Sequence, residues 1–205
     1  MTEKAHIRQS YDLARQQYAA LGVDTEKALE QLKSFEISLH CWQSDDVGGF
    51  ETPDSALGGG GIAVTGNYPG KAGSIEEMQA DLEKVMDLLP GIQRINLHAI
   101  YGDFDGKVVD RDQIQASHFQ GWIDWASRQG IALDFNCTCF AHPKAESGMT
   151  LSHQDPEIRD FWIRHVKCCR SISAWIGREL GTACLHNLWI PDGMKDAPMN
   201  RWDHR

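Results

Sequence analysis

Long apolar runs are missing from this sequence of 205 residues. No stretch reaches the ~20 consecutive apolar residues that cross a bilayer. Residues 1–30 carry charges throughout and contain no apolar run typical of a signal peptide. We therefore expect a cytoplasmic protein with no membrane partner.

The cysteine pairs of a structural zinc site and a phosphate-binding loop are also missing. The six cysteines lie in or beside apolar segments without the C-x2-C pairs of a structural zinc site, so we expect reduced, buried thiols. Gly58–Gly61 lacks the lysine-serine signature of a phosphate loop. The 29 acidic against 20 basic residues give a formal charge of -9, which repels phosphate backbones. Nucleic acid is thus disfavoured as a partner, whereas a neutral small molecule is accommodated.

Four short apolar runs bounded by turn formers predict buried strands, and amphipathic segments between them predict helices. The predicted strands are 35–42, 94–101, 131–136 and 183–190. Helical spacing of apolar residues covers about 75–89, 119–126 and 158–176, and a helix pair at about 7–21 and 25–32 precedes the first strand.

Several predicted helix ends carry capping signals. Ser74-x-x-Glu77 and Ser117-x-x-Gln120 match the capping box. Asp155 stands before a proline, which is typical of a helix start. The glycines that follow the three apolar stripes, where a left-handed residue commonly ends a helix, are Gly91, Gly130 and Gly181.

Strands that alternate with crossover helices predict a parallel α/β sheet. Four such units are half of a (β/α)8 barrel of the TIM type, or alternatively one small open sheet. The length by itself slightly favours the open sheet. A loop from about Gln43 to Ala72 follows the first strand, and loops of this length are often lids or binding loops.

Polar side chains gather at the predicted carboxyl ends of the strands, where parallel α/β proteins bind ligands. They are His40, His98, Asn136, His186 and Asn187. Each histidine could equally be a satisfied core or capping group. The three histidines could hold a metal if their rings converged, but the strand ends offer few carboxylates and we do not predict a metal site.

Other residues allow a chemical role but favour a structural one. Cys137 and Cys139 lie near His142 in sequence, yet buried thiols are the commoner use of such cysteines. Trp42, Tyr101 and Trp189 at strand ends could stack on a sugar, although aromatic side chains more often pack in a core.

The strings HCWQSDDVGGF (40–50) and TGNYPGK (65–71) resemble the first strand and lid loop of the L-rhamnose isomerase family. NLHAIY (96–101), LDFN (133–136), TLSH (150–153) and LWIPDGMKD (188–196) continue the resemblance in the same order. The resemblance implies a (β/α)8 barrel, with residues 1–205 as its amino-terminal half and a helical lead-in at about 1–34.

The resemblance also implies a reaction, a metal and an assembly. The family interconverts L-rhamnose and L-rhamnulose as a homotetramer, with Mn2+ or a similar ion assisting hydrogen transfer between carbons 1 and 2. The metal ligands and catalytic residues of the family lie beyond residue 205, so no catalytic or metal-binding residue is expected in this half. The chain is accordingly interpreted as a fragment, inactive by itself.

The half that is present is expected to supply the sugar-facing wall. By resemblance, an apolar pocket for the methyl group of the 6-deoxy sugar consists of Val47, Leu57, Ile62, Ile100 and Tyr101. Trp189 resembles the platform behind the sugar, and His98 a polar contact or an aid to ring opening. The alternatives are another isomerase or epimerase of the xylose-isomerase-like barrel type, or a half-barrel without catalytic activity.

Overall fold

The computed structural model describes residues 3–51 and 69–193. The chain divides into two compact units. One unit comprises the residues up to Ile37 together with Leu89–Ile92, and the other comprises Ser38–Leu88 and the residues from Gln93 onward. None of the helices in the described ranges has a stretch that is long and apolar enough to cross a membrane.

Two helices open the chain, as the sequence predicts. Helix α1 spans Glu3–Ala20 and helix α2 spans Thr25–Leu32. Asp24 caps α2, because its carboxylate accepts a hydrogen bond from the backbone N–H of Lys27 at 3.1 Å. Tyr11 of α1 donates a 2.6 Å hydrogen bond to Glu26 of α2. Neither helix contains a buried residue.

Strands and helices then alternate along the chain. Their bounds are β1 (Glu36–His40), α3 (Ile75–Leu88), β2 (Ile92–His98), α4 (Gln120–Gln129), β3 (Ala132–Asn136), α5 (Pro156–Leu180) and β4 (His186–Asn187). The four strands form one sheet in the order β1-β2-β3-β4, in which β3 is parallel to both β2 and β4. This confirms the predicted α/β class with a parallel sheet.

The two faces of the sheet differ in polarity because successive side chains of a strand alternate. Ile95 and Leu97 of β2 are in register with Leu133 and Phe135 of β3, and all four are fully buried. Phe135 makes an edge contact with Phe119 at the start of α4, so this is the helix-covered face. Polar residues occupy the alternate positions and form the opposite face.

Asp134 of β3 is the centre of that polar face. Its carboxylate accepts hydrogen bonds from Ser38 of β1 at 2.7 Å and from Arg94 of β2 at 2.9 and 3.2 Å. The backbone N–H of Leu185, next to β4, donates a fourth at 2.8 Å. Burial alone would raise the pKa of Asp134, but these hydrogen bonds outweigh burial and lower it.

Helix ends match the predicted signals at most positions. The Ser74 hydroxyl accepts from the N–H of Glu77 at 3.2 Å, and the Asp155 carboxylate accepts from the N–H of Glu157 at 2.9 Å. Gly130 and Gly181 end α4 and α5 in the left-handed conformation. The predicted box at Ser117 is wrong: α4 begins at Gln120 without a side-chain cap, because a 3₁₀ turn occupies Ala116–Phe119.

The two outer strands also differ from expectation. β1 is not buried, since Ile37 is 49% exposed. β4 is only two residues long, although the sequence predicts a strand over 183–190. Two of the residues expected to begin it bond to side chains: Arg94 donates to the carbonyl of Ala183, and the N–H of Leu185 donates to Asp134.

The Asp134 network yields a stability prediction. Asp134→Asn should lower the free energy of unfolding by about 3 kcal/mol, because Arg94 loses the buried carboxylate that faces it. Urea unfolding near pH 7 measures this difference. Asp112→Asn is the matched control, since Asp112 pairs with Arg164, whose side chain is 56% exposed, and it should cost at most about 1 kcal/mol. Equal losses for the two variants would contradict the prediction.

The same network predicts a pH dependence. Folding lowers the pKa of Asp134 below its ordinary value of 3.8, so its contribution is complete above that pH and is lost as the pH falls through the folded pKa. The stability gap between wild type and Asp134→Asn should therefore narrow below pH 3.8.

Candidate functional site

The carboxyl ends of the strands bring the predicted polar residues together. His98 of β2 is in register with Asn136 of β3, which is in register with Asn187 of β4. His40 ends β1, and its Nδ1 lies 3.0 Å from Nε2 of His98. The expected cluster is therefore present in part, and its centre is a pair of histidines in direct contact. His186, also expected there, is in register with Phe135 and contacts Cys137 instead.

The histidine pair is neutral. Burial and the neighbouring His40 lower the pKa of His98 to about 3, and burial lowers the pKa of His40. One ring nitrogen at the contact therefore donates a proton and the other accepts it. The second ring nitrogen of His98, Nδ1, lies 3.3 Å from the hydroxyl of Thr138.

An aromatic wall adjoins the pair. The ring of Trp42 stacks on His40 with centroids 4.6 Å apart and lies 4.9 Å from the ring of His98. Trp189 meets Trp42 edge-on at 6.4 Å and Phe140 at 5.4 Å. Trp189 remains 39% exposed, so the wall offers apolar ring surface beside polar ring nitrogens. Such a surface suits a small molecule with both apolar and hydroxyl groups.

The segment after β1 is fixed by a buried carboxylate. Asp45 accepts hydrogen bonds from the hydroxyl of Tyr101 at 2.7 Å and from the N–H groups of Val47 and Gly49 at 3.1 and 2.7 Å. Burial raises the pKa of Asp45, and these hydrogen bonds oppose the rise without cancelling it. Burial also raises the pKa of Tyr101 well above its usual value, so its hydroxyl stays a donor.

Ile100 lies directly against this segment. The N–H of Phe50 donates to the carbonyl of Ile100 at 2.8 Å. Gly49 has a φ of +72°, and a Cβ on it would lie 2.9 Å from Cβ and Cδ1 of Ile100. Only glycine satisfies both constraints, the left-handed backbone and the close approach to Ile100.

The structure describes five of the seven predicted site residues. Val47, Ile100 and Tyr101 gather around the segment after β1, and the ring of Tyr101 lies 6.4 Å from that of His98. The ring of Trp42 contacts both Trp189 and His98 and so connects the two side chains. Val47, Ile100 and Tyr101 are all buried, as core residues also are. Leu57 and Ile62 lie outside the described residues.

Sequence reasoning missed the residues that hold the site in place. Asp45, Glu51, Arg111 and Thr138 all bind the loops beyond the strand ends. Asp45-Asp46 in the segment after β1 and Cys137-Thr138-Cys139 directly after β3 mark the right loops in the sequence. No pattern in the sequence marks Arg111.

The cysteines of the loop after β3 are thiols. The hydrogen-bond partner of Cys137 is His186, with Sγ and Nε2 2.9 Å apart, whereas His142 bonds to Asp110 at 3.1 Å. A hydrogen bond with Cys139 lowers the pKa of Cys137, but the contact with Cys169 and burial outweigh it and raise the pKa. The suggested pairing of Cys137 or Cys139 with His142 is therefore not found within the described ranges. The structure supports the alternative interpretation, that these cysteines are buried thiols.

The described residues do not fit a divalent metal site. They contain no group of three or more histidine, cysteine, aspartate or glutamate side chains that could hold an ion. His40 and His98 are in contact, but their facing nitrogens bond to each other. A hard cation such as Mn2+ also prefers oxygen ligands, which this pair lacks.

Polar and aromatic groups beyond the carboxyl ends of a parallel sheet place the chain in the class of ligand-binding α/β proteins. A family model described as L-rhamnose isomerase (RhaA) matches residues 5–205. The chain belongs to the L-rhamnose isomerase family.

Curated relatives agree with this assignment. The chain is 53% identical to the L-rhamnose isomerase of Rhodopirellula baltica over 98% of this chain and 47% of the relative. It is 50% identical to that of Bacteroides thetaiotaomicron over 100% of this chain and 49% of the relative, and 53% identical to that of Cronobacter sakazakii over 96% and 46%. The chain thus spans about half the length of the curated relatives it matches.

The buried histidine predicts a second pH dependence. His98 stays neutral in the folded chain down to about pH 3, whereas an unfolded histidine binds a proton below its ordinary value of 6.5. Protons therefore favour unfolding as the pH falls from 6.5 to about 3, and stability is greatest above that window. Between about pH 6 and pH 4, replacing His98 by asparagine should reduce the slope of unfolding free energy by about 1.4 kcal/mol per pH unit. Urea unfolding at several pH values measures the slope, and an unchanged slope would show that His98 titrates normally.

Proposed function

We propose that the whole protein interconverts L-rhamnose and L-rhamnulose, and that residues 1–205 supply the amino-terminal half of its barrel. The observation that carries this proposal is the 53% identity to the Rhodopirellula baltica L-rhamnose isomerase over 98% of the chain. On this proposal, the helical lead-in at about 1–34 precedes the first four β/α units of a single barrel domain.

The strand order supports a barrel over an open sheet. Each described strand neighbours the strand that follows it in the chain, and one helix lies between successive strands in sequence. A doubly wound open sheet reverses its strand order at a switch point, whereas a (β/α)8 barrel continues in one direction. The polar face around Asp134 would then line the barrel interior, where strands of a barrel project alternate side chains.

The sugar would meet this half at the aromatic and histidine wall. We assign Trp189 as the platform behind the sugar and His98 as the polar contact or aid to ring opening. A neutral imidazole suits this role because it can accept a hydroxyl proton at one nitrogen and donate from the other. Both ring nitrogens of His98 have partners in this structure, so a sugar hydroxyl would take the place of His40 or Thr138 at one of them.

The methyl group of the 6-deoxy sugar would lie against Val47, Ile100 and Tyr101, with Leu57 and Ile62 completing the pocket. The rigid packing of the segment after β1 on Ile100 supports this assignment. Burying one methyl group gives about 1–3 kcal/mol of preference, enough to favour a deoxy sugar over its hydroxylated relative.

The cofactor, assembly and location follow the same resemblance. We propose Mn2+ as the cofactor, with ligands from the remainder of the barrel, and a homotetramer in the cytoplasm. The six cysteines, all of them unpaired, support a reducing compartment.

A chimera tests the activity. In it, this chain replaces the matching 47% of the Rhodopirellula baltica enzyme. We expect ketose formation from L-rhamnose with manganese present, because the chimera joins this wall to the rest of a working barrel. The isolated chain is the control and should form no ketose. A folded chimera that converts other aldoses but not L-rhamnose would favour a different isomerase of the same barrel type, and one that converts none would favour a half-barrel without catalytic activity.

Substrate preference tests the methyl pocket. In the chimera, Ile100→Ala should lower kcat/KM for L-rhamnose at least ~10-fold more than for L-mannose, which carries a hydroxyl at carbon 6. Ile95→Ala is the matched control, since Ile95 is equally buried in β2 but lies on the helix-covered face. The control should affect both sugars alike. A proportional loss in Ile100→Ala would show that Ile100 supports the fold and does not read the methyl group.

A further inference from the structure

Arg111 is a buried arginine whose donors are all engaged. It is 2% exposed, and its Nε and Nη2 donate to the carboxylate of Glu51 at 3.0 Å. Nη1 donates to the carbonyl of Thr138 at 2.6 Å and also to that of Phe140. Nη2 donates to the carbonyl of Ala141 at 2.9 Å. All five N–H donors of the guanidinium therefore have acceptors.

The carbonyls that Arg111 binds belong to a strained loop after β3. Thr138 and Ala141 have φ values of +55° and +49°. A left-handed backbone is rare for residues other than glycine, above all for a β-branched one, and persists only where surrounding groups hold it. The N–H of Thr138 is held in addition by the side chain of Asn136 at 2.8 Å. The loop keeps this shape because its polar backbone groups are bound from both sides.

The strained residue faces the histidine pair. The hydroxyl of Thr138 lies 3.3 Å from Nδ1 of His98, whose Nε2 lies 3.0 Å from His40. A second buried side chain braces the same loop, since His165 contacts the carbonyl of Arg111 at 2.7 Å and that of Cys137 at 2.5 Å. A continuous path of short contacts thus runs from Arg111 through Thr138 to His98.

We propose that Arg111 and Thr138 are positioning residues for the His98–His40 pair. Arg111 holds Thr138 in its left-handed conformation, and the Thr138 hydroxyl then holds the ring of His98 in place through its contact with Nδ1. Lysine cannot replace Arg111, because an ammonium has three donors and no planar fork. The effect on catalysis rests on the proposed function, whereas the effect on the ring of His98 does not.

Nitrogen-15 NMR of histidine side chains near pH 7 tests the proposal on the 205-residue chain. Thr138→Val removes the hydroxyl at nearly constant shape and should shift the Nδ1 and Nε2 signals of His98. Thr138→Ser keeps the hydroxyl and should retain the wild-type signals. Arg111→Lys should shift the same signals while Arg164→Lys, a substitution of a half-exposed arginine bonded to neighbouring Asp112, leaves them unchanged.

Activity provides the second measurement. In the chimera, Thr138→Val should lower kcat at least ~10-fold with a smaller change in KM, and Thr138→Ser should restore most of it. His98 signals that stay in place in both Thr138→Val and Arg111→Lys would overturn the proposal and leave Arg111 a stabilising residue only. If Arg111→Lys does not fold, the Thr138 pair decides alone. A chimera inactive on L-rhamnose while the signals shift as expected would refute the proposed function and not the positioning.

Discussion

One carboxylate, that of Asp134, connects the strands of the sheet. It binds Ser38 in β1, Arg94 in β2 and the N–H of Leu185 next to β4. A buried carboxylate is costly unless hydrogen bonds satisfy its oxygens, and Asp134 meets this condition only when all these partners are in register. This requirement restricts the register of the strands more than apolar packing does, because a packed core tolerates exchanges between apolar side chains of similar size.

The site follows from that register. Side chains of a strand alternate, so the residue two places beyond each member of the polar face returns to the same face. His40 follows Ser38 in this way, His98 follows Asn96, and Asn136 follows Asp134. A slip of one residue would turn each of these side chains toward the helices. The same charge network that orders the strands therefore brings the two histidines into contact beyond the strand ends.

The sequence predicted most of the helices and strands because these elements depend on local patterns. Apolar spacing predicted the five α-helices of the described residues, and Asp155 and Gly181 marked both ends of α5. The length of β4 was not predictable, because its backbone is diverted by Arg94 and Asp134, distant residues in the sequence. The cap expected at Ser117 failed because Ser117 lies inside the 3₁₀ turn Ala116–Phe119 that precedes α4.

The strand-end histidines were predictable as a group, since parallel strands end at the same edge. Their partners were not, because they come from loops with no periodic pattern. Val47 and Thr138 are β-branched residues in left-handed conformations, which no propensity would assign to them. Such backbones persist only where surrounding groups determine them, here Asp45 for the first loop and Arg111 for the second.

Strain and buried charge are thus concentrated in the two loops beyond β1 and β3. Arg111 joins these loops directly, because it binds Glu51 of one and three carbonyls of the other. A wall held in this way loses little conformational entropy when a ligand arrives, which improves discrimination between similar ligands. The described part offers such a wall without a fitting metal site. In the proposed enzyme, this half would recognise the sugar and hold its orientation.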